Sequence, residues 1–362
     1  MCRDPGPGLT VVSRKWPPAM GGMETYSVRM VETLETVMPV RRLVLPGKPD
    51  GSPPGALALI WFGARNAAHL IFDRNPTPVV HVMDMASWPL ALAALLRQRG
   101  RRLVLSAHGT DVGYAARPDW KGRLYALWLR AGGRLLGSAT VIANSEETAR
   151  RSRDMGFYNV RVVPLAADPG PMPDPSPPGR SLLFAGRLIR RKGCAWFIRN
   201  VLPHLPEGIT LDVAGTPWDA DEEAALDHPR VRFLGRLDAD ALRSAYAGAL
   251  AVIVPNQPMA DGTYEGFGLV AVEAAAAGGL VLASRHGGLT DAVIDGETGF
   301  LLPEGDAEAW ITRIGELAGW SLADRQAFTT KAREKAVAYY SWTRVANETR
   351  SIYDAPASGD AA

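Results

Sequence analysis

The stretch Ala251-Val-Ile-Val254-Pro-Asn256, followed after a polar loop by Glu265-Gly-Phe-Gly-Leu-Val-Ala-Val-Glu273-Ala-Ala-Ala-Ala-Gly278-Gly-Leu280-Val-Leu-Ala283, decides the fold. A short β-branched run, a loop, a helix-length apolar segment and a second β-branched run make a strand–helix–strand unit. Both strands are apolar without alternation, as strands of a parallel sheet covered on both faces are. The pattern repeats outward in both directions. Towards the C-terminus it reaches 300–302, and towards the N-terminus it passes 231–234, 210–214 and 181–185. Beyond a break it resumes at 160–164, 140–143, 103–107, 79–83, 40–45 and 9–13. The break, Asp168-Pro-Gly-Pro-Met-Pro-Asp-Pro-Ser-Pro-Pro-Gly179, forbids regular helix and central strand and reads as a linker. The expected fold is therefore α/β, with two doubly wound parallel-sheet, Rossmann-like domains facing across a cleft. The expected boundaries are 1–167, a linker 168–180, a second domain 181–335, a C-terminal helix 336–355 crossing back to the first domain, and a tail 356–362.

The 362 residues suit two cores better than one. The two cysteines, Cys2 and Cys194, allow no disulfide framework and no paired metal motif. The N-terminus lacks the apolar run of a secretory signal, and the apolar stretches 55–72 and 85–96 are interrupted by Arg65 and His69 or too short to span a bilayer. A cytoplasmic location is expected. Net charge is only +2, yet residues 1–165 hold 22 Lys and Arg against 12 Asp and Glu, while the remainder holds 18 against 26. A basic first half fits peripheral contact with an anionic membrane face or a lipid-phosphate acceptor. The cluster Arg97, Arg99, Arg101 and Arg102 lacks aromatic interleaving, so nucleic acid is not an expected partner.

Within the opening stretch, Glu265 precedes a helix start and Glu273 lies inside the helix, with Gly266 and Gly268 leaving backbone amides open near a terminus that attracts phosphate. Two carboxylates so placed can accept hydrogen bonds from hydroxyls on either side of a cradled diphosphate. The segment resembles the Glu-x7-Glu motif of retaining glycosyltransferases of the family 4 type, which have the GT-B fold. Other segments agree in order. Phe184-Ala-Gly-Arg187-Leu-Ile-Arg-Arg-Lys192-Gly193 resembles the family's Gly-Arg-Leu…Lys-Gly segment, which implies that Arg187 and Lys192 grip the donor diphosphate. A guanidinium and an ammonium can neutralise charge on a departing phosphate. Trp16-Pro-Pro-Ala-Met-Gly21-Gly22-Met-Glu-Thr-Tyr26 resembles the N-terminal glycine-rich loop. His108-Gly109-Thr110-Asp111 resembles the segment whose His contacts the donor sugar. Asp111 either assists the acceptor or caps a helix. Asn144-Ser145 reads as a helix cap.

The resemblance implies a hexosyltransferase-like enzyme that moves a sugar from a UDP-, GDP- or ADP-linked donor to a glycan, lipid-linked or small-molecule hydroxyl, in cell-surface glycan or glycolipid synthesis. It implies retention of anomeric configuration, with catalysis by His108, Glu265, Arg187 and Lys192. The donor would be bound by Gly21, Gly22, Arg187, Lys192, Gly266, Phe267, Gly268, Leu269 and Glu273. No cofactor and no metal are expected in the chemistry, since Asp219-Ala-Asp221 and Asp238-Ala-Asp240 lie away from these segments and read as solvated turns. The alternative is a non-catalytic nucleotide-sugar-binding partner subunit of the same fold. An oxidoreductase fails for want of a Gly-x-Gly-x-x-Gly turn after a strand. Two departures from the family pattern bear on specificity: Pro164-Leu165-Ala166 stands where many relatives have Pro-Asn-Gly, and the loop 256–264 is long.

Overall fold

The computed structural model describes residues 8–19, 21–98, 100–171 and 179–355. The first seven residues, Met20, Arg99, most of the proline-rich linker and the tail 356–362 lie outside the described residues, so the readings made there stand as expectations. The chain divides into two compact units. One runs to Leu165 and includes the last helix, Trp342–Asp354; the other spans Ala166–Ser341.

In the first unit, β1 (Leu9–Trp16), β2 (Val40–Pro46), β3 (Val79–Val82), β4 (Arg102–Ala107), β5 (Thr140–Ala143) and β6 (Val160–Val162) form one parallel sheet in the order β2-β1-β3-β4-β5-β6. In the second, β7 (Ser181–Leu188), β8 (Thr210–Pro217), β9 (Val231–Gly235), β10 (Val252–Val254), β11 (Val281–Ser284) and β12 (Phe300–Leu302) form another, in the order β12-β11-β10-β7-β8-β9. Twelve runs expected as strands are strands. Strands such as Val79–Val82, Thr140–Ala143 and Val281–Ser284 are buried along their whole length, which is why each reads as a mostly apolar run without alternation.

Strand order sets where a ligand can enter. The second chain segment builds β8 and β9 on one side of β7 and then crosses back to place β10 on the other. The loops leaving β7 and β10 therefore diverge at the carboxyl edge, the topological switch point at which open α/β sheets bind ligands. In the first sheet the same reversal falls between β1 and β3.

The expected final helix 336–355 is two helices, Leu322–Tyr339 and Trp342–Asp354, with the chain turning at Tyr340-Ser341. The second belongs to the first unit. Tyr353 Oη meets His81 Nδ1 at 2.6 Å, the Arg344 guanidinium donates to Pro164 O at 2.6 Å, and Arg102 donates to Ile352 O at 2.8 Å. Tyr340 stays with the second unit, where its hydroxyl donates to Asp291 O at 2.9 Å. Asp219 and Asp238, the leading residues of the two Asp-x-Asp sequences, cap helices by accepting from Asp221 N and Ala241 N.

Candidate functional site

At the switch point of the second sheet, two loops far apart in sequence are joined through backbone. Gly193 closes the turn after β7 with φ +73°, and a Cβ there would lie 2.0 Å from Pro255 O, so only glycine lets the β7 loop approach the β10 loop. Gln257 N donates to Arg191 O at 2.9 Å across the same seam. This seam carries Arg191 and Lys192, in the one-turn 3-10 helix Arg190–Lys192, onto the carboxylate of Glu265. Glu265 Oε2 accepts from Arg191 Nη1 at 2.7 Å, Lys192 Nζ at 2.5 Å and Asn256 Nδ2 at 3.0 Å. Burial pushes the Glu265 carboxyl up, but the Lys192 ammonium and Arg191 guanidinium outweigh it and hold the group down at about 2. Glu265 is thus an ionised acceptor.

After Glu265 the chain turns through Gly266, Phe267 and Gly268, the last at φ +100°, into the helix Leu269–Ala276. The turn is held from behind by the loop after β11. Gly288 N donates to Glu265 O at 2.8 Å, and a Cβ on Gly288 would sit 2.3 Å from Gly266 O. Phe267 is buried with its ring edge-on to Tyr340. Glu273 is the only charged residue of this otherwise apolar helix. Burial pushes its carboxyl up, Lys192 pulls it down and Asp168 adds to the upward push. Lys192 therefore acts on both carboxylates of the motif. A helix start, two cations and two carboxylates gathered at one sheet edge can hold a polyanion together with its hydroxyls.

Two residues of this cluster escaped sequence reading. The motif between Arg187 and Lys192 gives Arg191 no role of its own, and the sequence gives none to Asn256. Asn256 is 1 % exposed, and its Oδ1 has no partner among the described residues, so a buried acceptor beside Glu265 awaits a donor. Arg187, expected beside Lys192, is exposed at the end of β7. Its guanidinium lies 5.7 Å from the Trp218 ring centre and is not among the groups that meet Glu265.

In the first unit, Gly21 is extended and Gly22 opens the helix Gly22–Glu35, where Lys15 pairs with Glu24 at 3.3 Å. His108 follows β4. Its Nε2 faces Met83 O at 3.0 Å, and its ring stands edge-on to Tyr26 with centroids 4.5 Å apart. The Asp111 carboxylate accepts from three backbone amides: His108 N at 2.8 Å, Val112 N at 2.9 Å and Met85 N at 3.1 Å. Asp111 lies inside the short helix Thr110–Gly113, whose start carries no side-chain cap, and these contacts hold the His108-Gly109 turn against the loop after β3. Ser145 caps the following helix through Thr148 N. A missed feature sits at the β1/β3 reversal, where the fully buried Asp84 accepts from Arg14 Nε at 3.0 Å and from Ser87 N at 3.1 Å. Behind His108 runs a buried chain: Tyr26 Oη to Ser106 Oγ at 3.0 Å, Ser106 Oγ to His81 Nε2 at 2.7 Å, and His81 to Tyr353.

Comparison with known proteins places the two units. A family model described as "Glycosyl transferase 4-like domain" matches residues 10–167, and one described as "Glycosyl transferases group 1" matches residues 179–319. A GDP-mannose-dependent alpha-(1-6)-phosphatidylinositol monomannoside mannosyltransferase of Mycolicibacterium smegmatis is 27% identical over 352 residues, 85% of this chain and 88% of that protein. Other curated relatives, at 32% identity, align over less than half of their own length, 44% and 43% for the first two. Among solved structures, sucrose-phosphate synthase from Thermosynechococcus elongatus superposes with TM-score 0.71 at 23% identity over 96% of this chain and 98% of that one. Anabaena HepE in complex with UDP and glucose superposes with TM-score 0.69 at 19% identity over 96% and 100%. These likenesses show the GT-B fold. With both halves matched by glycosyltransferase models, in order and over nearly the whole of each unit, the chain belongs to the glycosyltransferases of the family 4 type.

Proposed function

We propose that the chain is a retaining glycosyltransferase that takes a sugar from a nucleotide-diphosphate donor to a hydroxyl acceptor. The observation that carries this reading is the convergence of Arg191, Lys192 and Asn256 on one oxygen of Glu265 at the start of the Leu269–Ala276 helix. Glu265 offsets part of the charge of the two cations. When a diphosphate arrives, those cations and the helix start stabilise it, and the carboxylate turns its acceptor capacity to sugar hydroxyls. Glu273, one helix face further on, accepts from the ribose. UDP in the Anabaena HepE complexes and GDP-mannose in the name of the mycolicibacterial relative support a nucleotide-sugar donor.

Retention rests on the likeness of the Glu265–Glu273 segment to the family's motif. A carboxylate oxygen that already accepts from three donors is a poor nucleophile, so a retained configuration is reached by attack on the face the phosphate leaves rather than through a covalent glycosyl-enzyme. The anomeric carbon's bond to the phosphate oxygen breaks, the acceptor oxygen bonds to that carbon, and its proton passes to the leaving phosphate. The chain's part is electrostatic and positional. Arg191 and Lys192 supply the positive charge needed, so turnover should persist in EDTA.

The test begins with thermal-shift screening of UDP-, GDP- and ADP-sugars and then measures nucleotide release with the donor that stabilises. Lys192→Ala and Arg191→Ala should each lower turnover roughly a hundredfold, the scale of removing one preorganised donor to a developing oxyanion. Undiminished turnover in both variants overturns the reading, and an inverted product anomer by NMR overturns the stereochemical part.

A further inference from the structure

The helices Ala56–Phe72, Trp88–Arg97 and Trp120–Leu135 lead from β2 to β3, from β3 to β4 and towards β5. Right-handed crossovers running the same way along the sheet put all three on one of its faces. They pack in that order, with the Trp88 and Trp128 rings 4.9 Å apart. None of the three contains an Asp or Glu.

The layer is unusually apolar on its outer side. On the helix Trp120–Leu135, Trp120 is 70% exposed, Leu124 59%, Leu127 61% and Leu135 56%. At 3.6 residues per turn these four fall on one stripe, opposite the buried Gly122, Ala126, Leu129 and Gly133. The same progression puts Lys121 along one edge of the stripe and Arg123, Arg130 and Arg134 along the other. Among the described residues none of these four cations pairs with a carboxylate, while the nearest acid, Asp119, is committed to capping Gly122 N and to Arg117. An open apolar groove of about 700 Å3 runs between Tyr114 and this stripe. On the helix Ala56–Phe72, at the far side of the layer, Leu57 is 84% and Trp61 68% exposed.

The basic run Arg97, Arg101 and Arg102 of the first half is wired inward. Arg101 is buried and donates to Thr77 O, Arg97 donates to Asp73 O, and Arg102 to Ile352 O. Arg99 lies outside the described residues. Among the described residues, Lys121, Arg123, Arg130 and Arg134 of the helix Trp120–Leu135 carry no ion pair and are free for a partner.

We propose that this outer helix layer, centred on Trp120, Leu124 and Leu127 with their flanking cations, is the surface by which the protein docks on an anionic lipid bilayer. An apolar stripe of Trp and Leu edged by Lys and Arg, with no acid, is the chemistry of a helix lying in the plane of a membrane interface. Charge decides against a second copy of the chain as the occupant: two such faces would oppose like cations with no carboxylate on the helix to pair them. Among the described residues no helix is long and apolar enough to cross a membrane, so the contact is peripheral.

The full chain is floated with vesicles of phosphatidylcholine alone and of phosphatidylcholine mixed with phosphatidylglycerol, at low and high salt. Binding to the mixed vesicles is expected, falling in high salt and on phosphatidylcholine alone. Leu124→Glu with Leu127→Glu should lower partitioning on the order of a hundredfold or more, since each removes a leucine from the interface and adds a repelled charge. Arg123→Gln and Arg130→Gln should each cost about fivefold, the weight of one cation near an anionic surface. Thermal unfolding and nucleotide binding of every variant are measured alongside and should match the parent, which separates a lost membrane contact from a lost fold. Failure to bind at low salt, or equal binding by the leucine variants, overturns the proposal. So does a concentration-dependent dimer without vesicles that Leu124→Glu with Leu127→Glu abolishes. None of these outcomes bears on the donor site.

Discussion

Replacing Glu265 with Gln separates charge balance from chemistry. Arg191 Nη1 and Lys192 Nζ reach the same oxygen from 2.7 and 2.5 Å, so the two cations stand no more than about 5 Å apart. At the effective dielectric of about 20 that suits protein sites, two unit charges at that distance repel by about 3 kcal/mol. Glu265 holds this repulsion in check, and Glu265→Gln, which keeps the shape and removes the charge, releases it. A loss of about 3 kcal/mol is also the scale of breaking a buried ion pair from one side. In a unit of this size it corresponds to roughly a 6–12 °C drop in unfolding temperature.

The pH arm carries a sign. With Glu265 held near 2, below its ordinary value, the unfolded chain binds the proton more readily. The stabilisation is complete above the ordinary carboxylate range and is lost as pH falls through it towards 2. Glu265→Gln should abolish that share of the acid sensitivity. A nucleoside diphosphate brings its own negative charge to the stranded cations, so UDP or GDP should stabilise the variant by more degrees than the parent and bind it roughly tenfold tighter or better. Turnover should nevertheless fall, because the sugar loses an ionised acceptor. Scanning calorimetry with and without nucleotide at two pH values, with a turnover assay, reads all four quantities. A variant as stable as the parent, with the same nucleotide increment, would refute the charge-balance reasoning.

Gly193→Ala would force Pro255 O away from a Cβ that cannot sit 2.0 Å from it, at a positive φ; nucleotide binding measured by calorimetry should be lost, with a destabilisation of about 2 kcal/mol or more. His108→Ala should reduce turnover by two orders of magnitude or more while leaving the nucleotide's thermal shift unchanged, because the cations and Glu265 lie in the other unit. Tyr353→Phe leaves His81 Nδ1 without its buried partner and should cost about 1–3 kcal/mol in urea unfolding. Burial and the charge of His108 hold His81 down at about 3, so its contribution to stability is full above the ordinary histidine value and drains away as pH falls towards 3. A His81→Gln variant should be less sensitive to acid over that window by two-probe unfolding.

The strands were legible because burial on both faces leaves them few polar positions, so that each reads as a short, mostly apolar run bounded by turn residues. The helix start after Glu265 was legible for the opposite reason, since glycines and a leading carboxylate mark a turn that needs them. Arg191 was not. Nothing within 184–193 separates Arg187, Arg190 and Arg191 as cations. What separates them is that β10 lies beside β7, a neighbour relation created by the chain's return across the sheet 60 or more residues later. Only then do Asn256 and Glu265 exist as a place for one arginine to reach. The role of Asp111 was undecidable for the same reason, because one of its three amides belongs to Met85 in the loop after another strand.

That dependence explains the glycines better than flexibility does. Gly193 and Gly288 come from loops after different strands, and each stands where a single methyl would collide with the backbone of the segment running from Pro255 to Phe267. Local sequence can show that a glycine is present but not what it lets approach. Here it lets two flanking loops press on a third until Arg191, Lys192 and Glu265 share one oxygen. A site assembled that way keeps its cations ready and their mutual repulsion in check at once, provided one carboxylate stays ionised among them. Protonating, deleting or displacing that carboxylate should therefore strand the same two positive charges, and a diphosphate is a ligand of the charge and size to take them up.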